Sequence, residues 1–309
     1  MDPWCLGPEE FAALFGVLPV ALPPECTARI AQHDFRYRPL SDRHQMAVVQ
    51  EILAKVDGGD FPRSGPEAIG RWEEGWSENL DGLRAGNGDP AALRPRYLRP
   101  AKVVRLNGRF VRPCHEDFEW RWFEVFQEWL FRAYFCEART VYEFGCGSGI
   151  NLAKLASIFP DKRYVGLDWA RSSVEIANEL ARRHGWRMEG RRFDLFAPDE
   201  TLEIEAGAVV FTIGALEQTG RGYGDFLSYL LRFRPALCVH VEPIVEWYDA
   251  RTPFDEAARA FHKVRGYWEG FPWRLHLLDQ AGRIEILKQK RSGFGSLYLE
   301  GYSQIVWRP

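Results

Sequence analysis

The segment Glu143-Phe144-Gly145-Cys146-Gly147-Ser148-Gly149 constrains the fold more than any other stretch of the chain. It continues Val141-Tyr142, so residues 141–144 read as a short strand of β-branched and aromatic residues. Glycines at 145, 147 and 149 let the backbone leave that strand sharply and approach a ligand closely, because a residue without Cβ accepts positive φ. Leu152, Leu155, Ala156 and Phe159 then recur at helical spacing, which predicts a helix over 151–159 stopped by Pro160. The spacing is GxGxG, with Ile150 where a dinucleotide fingerprint has its third glycine. That disfavours a diphosphate cradle and fits a ligand carrying an amino-acid moiety.

The alternation continues to the C-terminus. Strands are predicted over 164–167, 192–195, 208–213 and 236–241, and helices over 172–184, 226–233 and 253–264. The unbroken apolar run 208–213 suits a strand buried on both faces. Two more strands, 283–288 and 303–307, end the chain. Repeated strand–helix units imply a parallel sheet with helices on both faces, and such sheets bind ligands at the C-terminal strand ends. Asp168 falls at one such end, 19 residues after Gly149, where a carboxylate can accept two hydrogen bonds from a ribose diol. Asp194 falls at the next, placed to accept from an exocyclic adenine amine. Taken singly, Asp168 also reads as a helix N-cap in competition with Ser172 and Ser173, Asp194 as a turn residue, and Cys146 as a small packing residue.

The first part of the chain has a different texture, mostly helical. A helix is predicted over 41–56, and 60–100, rich in Gly and Pro, reads as loops around one short helix. Val103–Leu106, Asn107-Gly108 and Phe110-Val111 give a hairpin signal, since Asn-Gly suits a type I′ turn. A helix over 116–135 places Phe118, Trp122, Phe126, Trp129 and Leu130 on one face, as core packing or as an aromatic substrate platform. The uncharged run 11–24 follows Glu9 and Glu10 and is broken by prolines, so it reads as a buried segment and not a signal peptide. The expected division is 1–138, a mainly helical accessory or lid domain, and 139–309, the α/β domain.

Three segments now resemble a known family. Glu143–Gly149, Gly166-Leu167-Asp168 and Phe193-Asp194-Leu195 look like the first three motifs of class I S-adenosylmethionine-dependent methyltransferases. The resemblance implies a Rossmann-like seven-stranded sheet whose last two strands are 283–288 and 303–307, one of them antiparallel. It also implies S-adenosylmethionine as cofactor. Glu143, Gly145, Cys146, Gly147, Ser148 and Gly149, with Asn151, would line its methionine part. Asp168 would hold the ribose, Trp169 would flank the adenine, and Asp194 with Leu195 would hold the adenine edge. Thr212, at the end of the fourth strand, completes the expected set.

Methyl transfer requires alignment of an acceptor and, for a hydroxyl, removal of its proton. Groups leaving the fourth and fifth strands are the candidates, and Glu242 and His262 are the expected acid/base pair. Glu242 stands at a strand end before Pro243, and His262 shares a helix face with Arg265. Glu217 would hydrogen-bond near the cofactor, and His240 would be a core histidine. No Asn/Asp-Pro-Pro-Tyr tetrapeptide follows the fourth strand, and the lone Pro-Cys pair, Pro113-Cys114, precedes the cofactor segment. A small-molecule acceptor remains, O-methylated, with an RNA or nucleotide methyltransferase and a non-catalytic cofactor-binding protein as alternatives. Seven basic residues and no acid between Ala91 and Cys114, including Arg99, Arg105 and Arg109, would anchor phosphate or carboxylate on an anionic acceptor. The run 291–296 with Tyr298 and Tyr302 resembles bacterial methyltransferases of sugar or surface-glycan assembly, which implies a sugar-like acceptor. Net charge −3 argues against a long nucleic-acid footprint, and no apolar run is long enough to span a membrane. Six dispersed cysteines with no CxxC pair suggest a reducing, cytoplasmic setting without structural zinc, and no acidic or histidine cluster has metal-ligand spacing. A homo-oligomer remains open.

Overall fold

The structure is a computed structural model and describes residues 2–95 and 102–309. In chain order the first part contains β1 (Trp4–Cys5), α1 (Pro8–Phe15), α2 (Pro24–Gln32), β2 (Arg36–Pro39), α3 (Asp42–Asp57), α4 (Ile69–Ala85), β3 (Val104–Leu106), β4 (Arg109–Pro113) and α5 (Phe118–Tyr134). The second part runs β5 (Thr140–Phe144), α6 (Ile150–Ile158), β6 (Arg163–Asp168), α7 (Arg171–His184), β7 (Met188–Arg192), β8 (Val209–Ile213), α8 (Gly224–Phe233), β9 (Leu237–Glu242), α9 (Pro253–Arg265), α10 (Phe271–Gln280), β10 (Glu285–Lys290), β11 (Phe294–Gly295) and β12 (Ser303–Arg308).

Seven strands form one sheet in the order β10-β12-β9-β8-β5-β6-β7. The five from β5 to β9 pair in parallel, whereas β12 runs antiparallel to β9 and β10 antiparallel to β12. The order reverses at β5, so β5 and β8 diverge there into connections on opposite faces. This is the switch point at which open α/β sheets leave a ligand crevice. No helix among the described residues is long and apolar enough to cross a membrane.

The third parallel strand is Met188–Arg192, earlier than the expected 192–195. It is the sheet edge and partly exposed, so its sequence Met-Glu-Gly-Arg-Arg lacks the apolar signal that Phe193 and Leu195 give just after it. The expected short helix in 60–100 is the 17-residue α4. In the expected buried run 11–24, Phe11 and Phe15 are buried, but Leu18 and Val20 are exposed at 71% and 89%.

The first part carries a sheet as well as helices. β1, β2, β4 and β3 pair antiparallel, and β11 from the second part adds itself to β3. Asn107 and Gly108 hold φ of 48° and 77°, as the hairpin turn requires. On α5, Trp122, Phe126 and Leu130 are fully buried, and Trp122 stacks on Phe294 of β11 at 4.2 Å between ring centroids. The aromatic face of α5 therefore joins the two parts through a shared core.

Candidate functional site

The glycine turn leaves β5 and is pinned to β6. The backbone N–H groups of Gly145 and Cys146 donate to the Leu167 carbonyl at 2.7 and 3.1 Å. Gly145, Gly147 and Gly149 have φ of 75°, 50° and 71°. Space enforces glycine at two of them. A Cβ on Gly145 would lie 2.3 Å from the Ala215 Cβ, and one on Gly147 would lie 2.8 Å from the Trp76 ring. Ser148 and Asn151 are buried beside the turn. Burial pushes the Cys146 thiol well up, which makes it packing rather than a nucleophile.

Asp168 ends β6 and faces the turn. Its Oδ2 accepts from the Gly147 N–H at 2.9 Å and its Oδ1 from the Ala170 N–H at 2.8 Å. Burial raises its pKa to about 6, against the pull of those two hydrogen bonds. Each oxygen retains capacity for a further donor. Glu143 is fully buried; its Oε1 accepts from Asn151 Nδ2 at 2.7 Å, and Asn151 Oδ1 accepts from Gln127 Nε2 of α5 at 2.6 Å. Its Oε2 has no partner. Burial and the nearby Asp168 hold the Glu143 carboxyl well above the usual range.

A cleft opens beyond these groups, about 520 Å³ counting the space open to solvent. Gly145, Asp168, Trp169, Leu195 and Ala215 line it, as the sequence suggested for all but Ala215. Trp169 stacks on Phe196 at 5.8 Å, and Asp194 Oδ1 accepts from the Phe196 N–H at 2.9 Å, which turns the chain so that Phe193, Leu195 and Phe196 face the cleft. Thr212 does not face it. Its hydroxyl is buried against His240 Nδ1 at 3.0 Å, because the register sets Thr212 beside His240 in neighbouring strands.

The far wall was missed in the sequence. Trp72 and Trp76 of α4 stack at 5.4 Å and both line the cleft. Glu73 between them caps α7: its Oε2 accepts from the Arg171 N–H at 2.6 Å and its Oε1 from the Ser172 N–H at 3.1 Å. The cap therefore comes from another helix, and it docks α4 over the glycine turn. The β3–β4 hairpin pairs with β2 and β11 and contributes no residue to the cleft. Arg105 is fully buried, donates to the Phe254 carbonyl and lies over the Phe254 ring at 3.9 Å, so it cannot anchor a ligand. Arg109 pairs with Asp42 on the surface at 3.1 Å, and Arg96 and Arg99 lie outside the described residues.

A second cavity, about 1130 Å³ counting the space open to solvent, shares Trp72, Gly214 and Gln218 with the cleft. Glu119, Glu217, Arg265 and several aromatic rings line it. Neither expected acid/base residue does. Glu242 is fully buried behind it, and its carboxylate accepts from the N–H groups of Ala215, Leu216 and Glu217 at 3.3, 3.1 and 3.3 Å. His262 is buried too; its Nε2 donates to the Trp268 carbonyl at 2.6 Å, and burial lowers its pKa to about 4. Both residues hold the loops that shape the cavity. Glu217 Oε1 accepts from Gln218 Nε2 at 2.7 Å while Oε2 has no partner, and burial with the neighbouring Glu242 keeps its carboxyl well above the usual range. Glu119 Oε1 accepts from the Tyr302 hydroxyl at 3.1 Å, and burial raises Glu119 to about 7.

The sequence profile of a methyltransferase domain matches residues 141–235. No curated protein matches the chain. Among solved structures, an O-methyltransferase family protein from Burkholderia thailandensis is 15% identical, with 98% of this chain and 88% of that one covered and a TM-score of 0.48. A S-adenosylmethionine-dependent methyltransferase from Aquifex aeolicus is 16% identical, covering 59% of this chain and 88% of its own, with a TM-score of 0.39. The N,N-8-amino-8-demethyl-D-riboflavin dimethyltransferase from Streptomyces davawensis is 16% identical over 76% of this chain and 68% of its own, TM-score 0.41. The glycine turn, the acid that ends β6 and the seven-strand order agree with the matched segment: residues 141–235 form a methyltransferase domain.

Proposed function

We propose that the protein transfers the methyl group of S-adenosylmethionine to a hydroxyl of a small-molecule acceptor. The observation that carries this reading is the junction at Trp72, Gly214 and Gln218, three residues that line both the cleft beside the glycine turn and the second cavity. A donor and an acceptor held on its two sides would meet there. The cleft suits the cofactor on its own terms. Asp168 has spare acceptor capacity for a ribose diol, and the cleft's rings and Leu195 suit a purine. Asp168 is assigned to the ribose, Trp169, Leu195 and Asp194 to the adenine, and Glu143, the turn from Gly145 to Gly149 and Asn151 to the methionine part. When bound, the sulfonium supplies the activated methyl group.

The rest falls to the chain. Residues 1–138 act as the accessory domain, and α4 within them shields the cleft from water. Glu242 positions the turn that carries Glu217. Glu119, whose pKa lies near neutral, takes the proton from the acceptor hydroxyl, and Glu217 donates a hydrogen bond to it. Incubation of the full-length protein with methyl-labelled S-adenosylmethionine and a whole-cell extract tests the reading. Label is expected in the low-mass fraction, as a methyl ether by mass spectrometry. Label in the RNA or protein fraction, or no transfer, would contradict it.

A further inference from the structure

The second cavity is built mainly of rings. Trp72 comes from α4, Phe123 from α5, Phe261 from α9, and Tyr267, Tyr298 and Tyr302 from the loops after α9 and β11. They form two clusters. Phe261 and Tyr298 stack at 4.8 Å with an interplanar angle of 16°, and Phe61 packs edge-on against both. Phe123 and Tyr302 lie 5.5 Å apart at 34°. Rings on this many separate elements offer faces and edges to a flat guest, which aromatic pairs favour beyond their buried area.

The charges lining the cavity point the same way. Among the described residues, Arg265 is the one cation there, and the chain already uses it. Its Nε donates to the Tyr267 hydroxyl at 3.2 Å, its guanidinium also donates to the Pro62 carbonyl, and it lies 5.1 Å from the Tyr267 ring centroid. Apart from the tyrosines, the other ionisable groups are carboxyls. Glu119 and Glu217 are buried, at 7% and 5% exposure, and the Glu217 Oε2 is unpartnered. An anionic guest would lose its hydration beside two carboxyl groups and gain no unengaged cation among the described residues. A hydroxyl can donate to one carboxyl and accept from the other.

We propose that this cavity takes a neutral, planar aromatic acceptor bearing a hydroxyl, held between the Phe261–Tyr298 and Phe123–Tyr302 rings and hydrogen-bonded by Glu119 and Glu217. The proposal rests on the methyl-transfer reading and replaces the anionic acceptor that the basic residues between Ala91 and Cys114 suggested. In the transfer, the acceptor oxygen forms the new bond to carbon and the methyl–sulfur bond breaks. That bonding pair stays on sulfur as a neutral thioether, and the hydroxyl proton passes to Glu119.

Calorimetric titration of the full-length protein with naphthol, naphthoate and glucose phosphate, each with and without S-adenosylhomocysteine, tests it. Naphthol is expected to bind one to one, with naphthoate weaker by roughly tenfold or more because its charge is buried unpaired. Tyr298→Ala should weaken naphthol by about threefold to tenfold through the lost ring contact, with its melting curve as the fold control. Glu119→Gln, which removes one carboxyl charge, should narrow the gap between naphthol and naphthoate. Naphthoate or glucose phosphate binding as tightly as naphthol, or no naphthol binding at all, would overturn the proposal. So would naphthol affinity unchanged in both variants. S-adenosylhomocysteine is titrated separately, so its failure to bind strikes the methyl-transfer reading and leaves the naphthol result to be judged alone.

Discussion

Alanine at position 168 is expected to lower affinity for S-adenosylmethionine by roughly a hundredfold or more, the loss of two charge-assisted hydrogen bonds at about 1.5 kcal/mol each. The side chain has a second task that deepens the loss. Its two oxygens hold the N–H groups of Gly147 and Ala170, so the glycine turn loses its anchor as well. The effect depends on pH. Asp168 in the ligand-free protein is raised from 3.8 to about 6, so its carboxylate form, and with it cofactor affinity, is lost as pH falls through about 6. For stability the sign is opposite. A carboxyl raised on folding favours the fold below its unfolded pKa, and that contribution disappears as pH rises through the folded value. The stability of Asp168→Ala relative to the native chain should therefore shift in the variant's favour between pH 3.8 and about 6, by up to about 3 kcal/mol. Calorimetry at several pH values and denaturant unfolding read the two effects. Unchanged affinity in a folded Asp168→Ala protein would remove Asp168 from the ribose role.

Gly145→Ala should be the more damaging change to the fold. The residue sits at φ 75°, and its new Cβ would lie 2.3 Å from the Ala215 Cβ. Positive φ alone costs an alanine about 1–2 kcal/mol. The overlap adds to this, because Ala215 cannot retreat freely: its N–H is held by Glu242. A loss of roughly 3 kcal/mol or more is expected in denaturant unfolding, together with loss of cofactor binding. Gly207→Ala is the comparison. Gly207 has φ 78° but nothing within 4 Å of its added Cβ, so only the backbone penalty of about 1–2 kcal/mol applies. Equal losses in the two variants would show that packing against Ala215 is not what requires glycine at 145.

Much of this site was legible because its residues lie at strand ends, and buried parallel strands announce themselves by apolar runs. Gly145 and Asp168 follow from that pattern, Trp169 and Leu195 from the family resemblance, and all four line the cleft. What escaped has physical reasons. The edge strand β7 needs no apolar face on its open side, so the reading slid forward onto Phe193 and Leu195. α4 contains Gly70, Gly75 and Gly82 and follows a Gly- and Pro-rich stretch, so it looked like loop. Its Trp72-x-x-x-Trp76 spacing puts both rings on one helix face, and that was the available signal. β11 is two residues long and pairs with β3, nearly two hundred positions earlier, which no local pattern reveals. Glu242 and His262 were chosen for residue type and position along the chain. Which way a side chain faces depends on the loops around it, and here Glu242 turns to the backbone of residues 215–217 and His262 to Trp268.

Titration of the purified full-length protein with S-adenosylmethionine, followed by a separate titration with NAD, tests the central claim most directly. The account predicts one-to-one binding of S-adenosylmethionine, weakened by Asp168→Ala, and no heat from NAD, since Ile150 occupies the place of the third fingerprint glycine. No binding of S-adenosylmethionine at millimolar concentration, with NAD bound in its place, would contradict it.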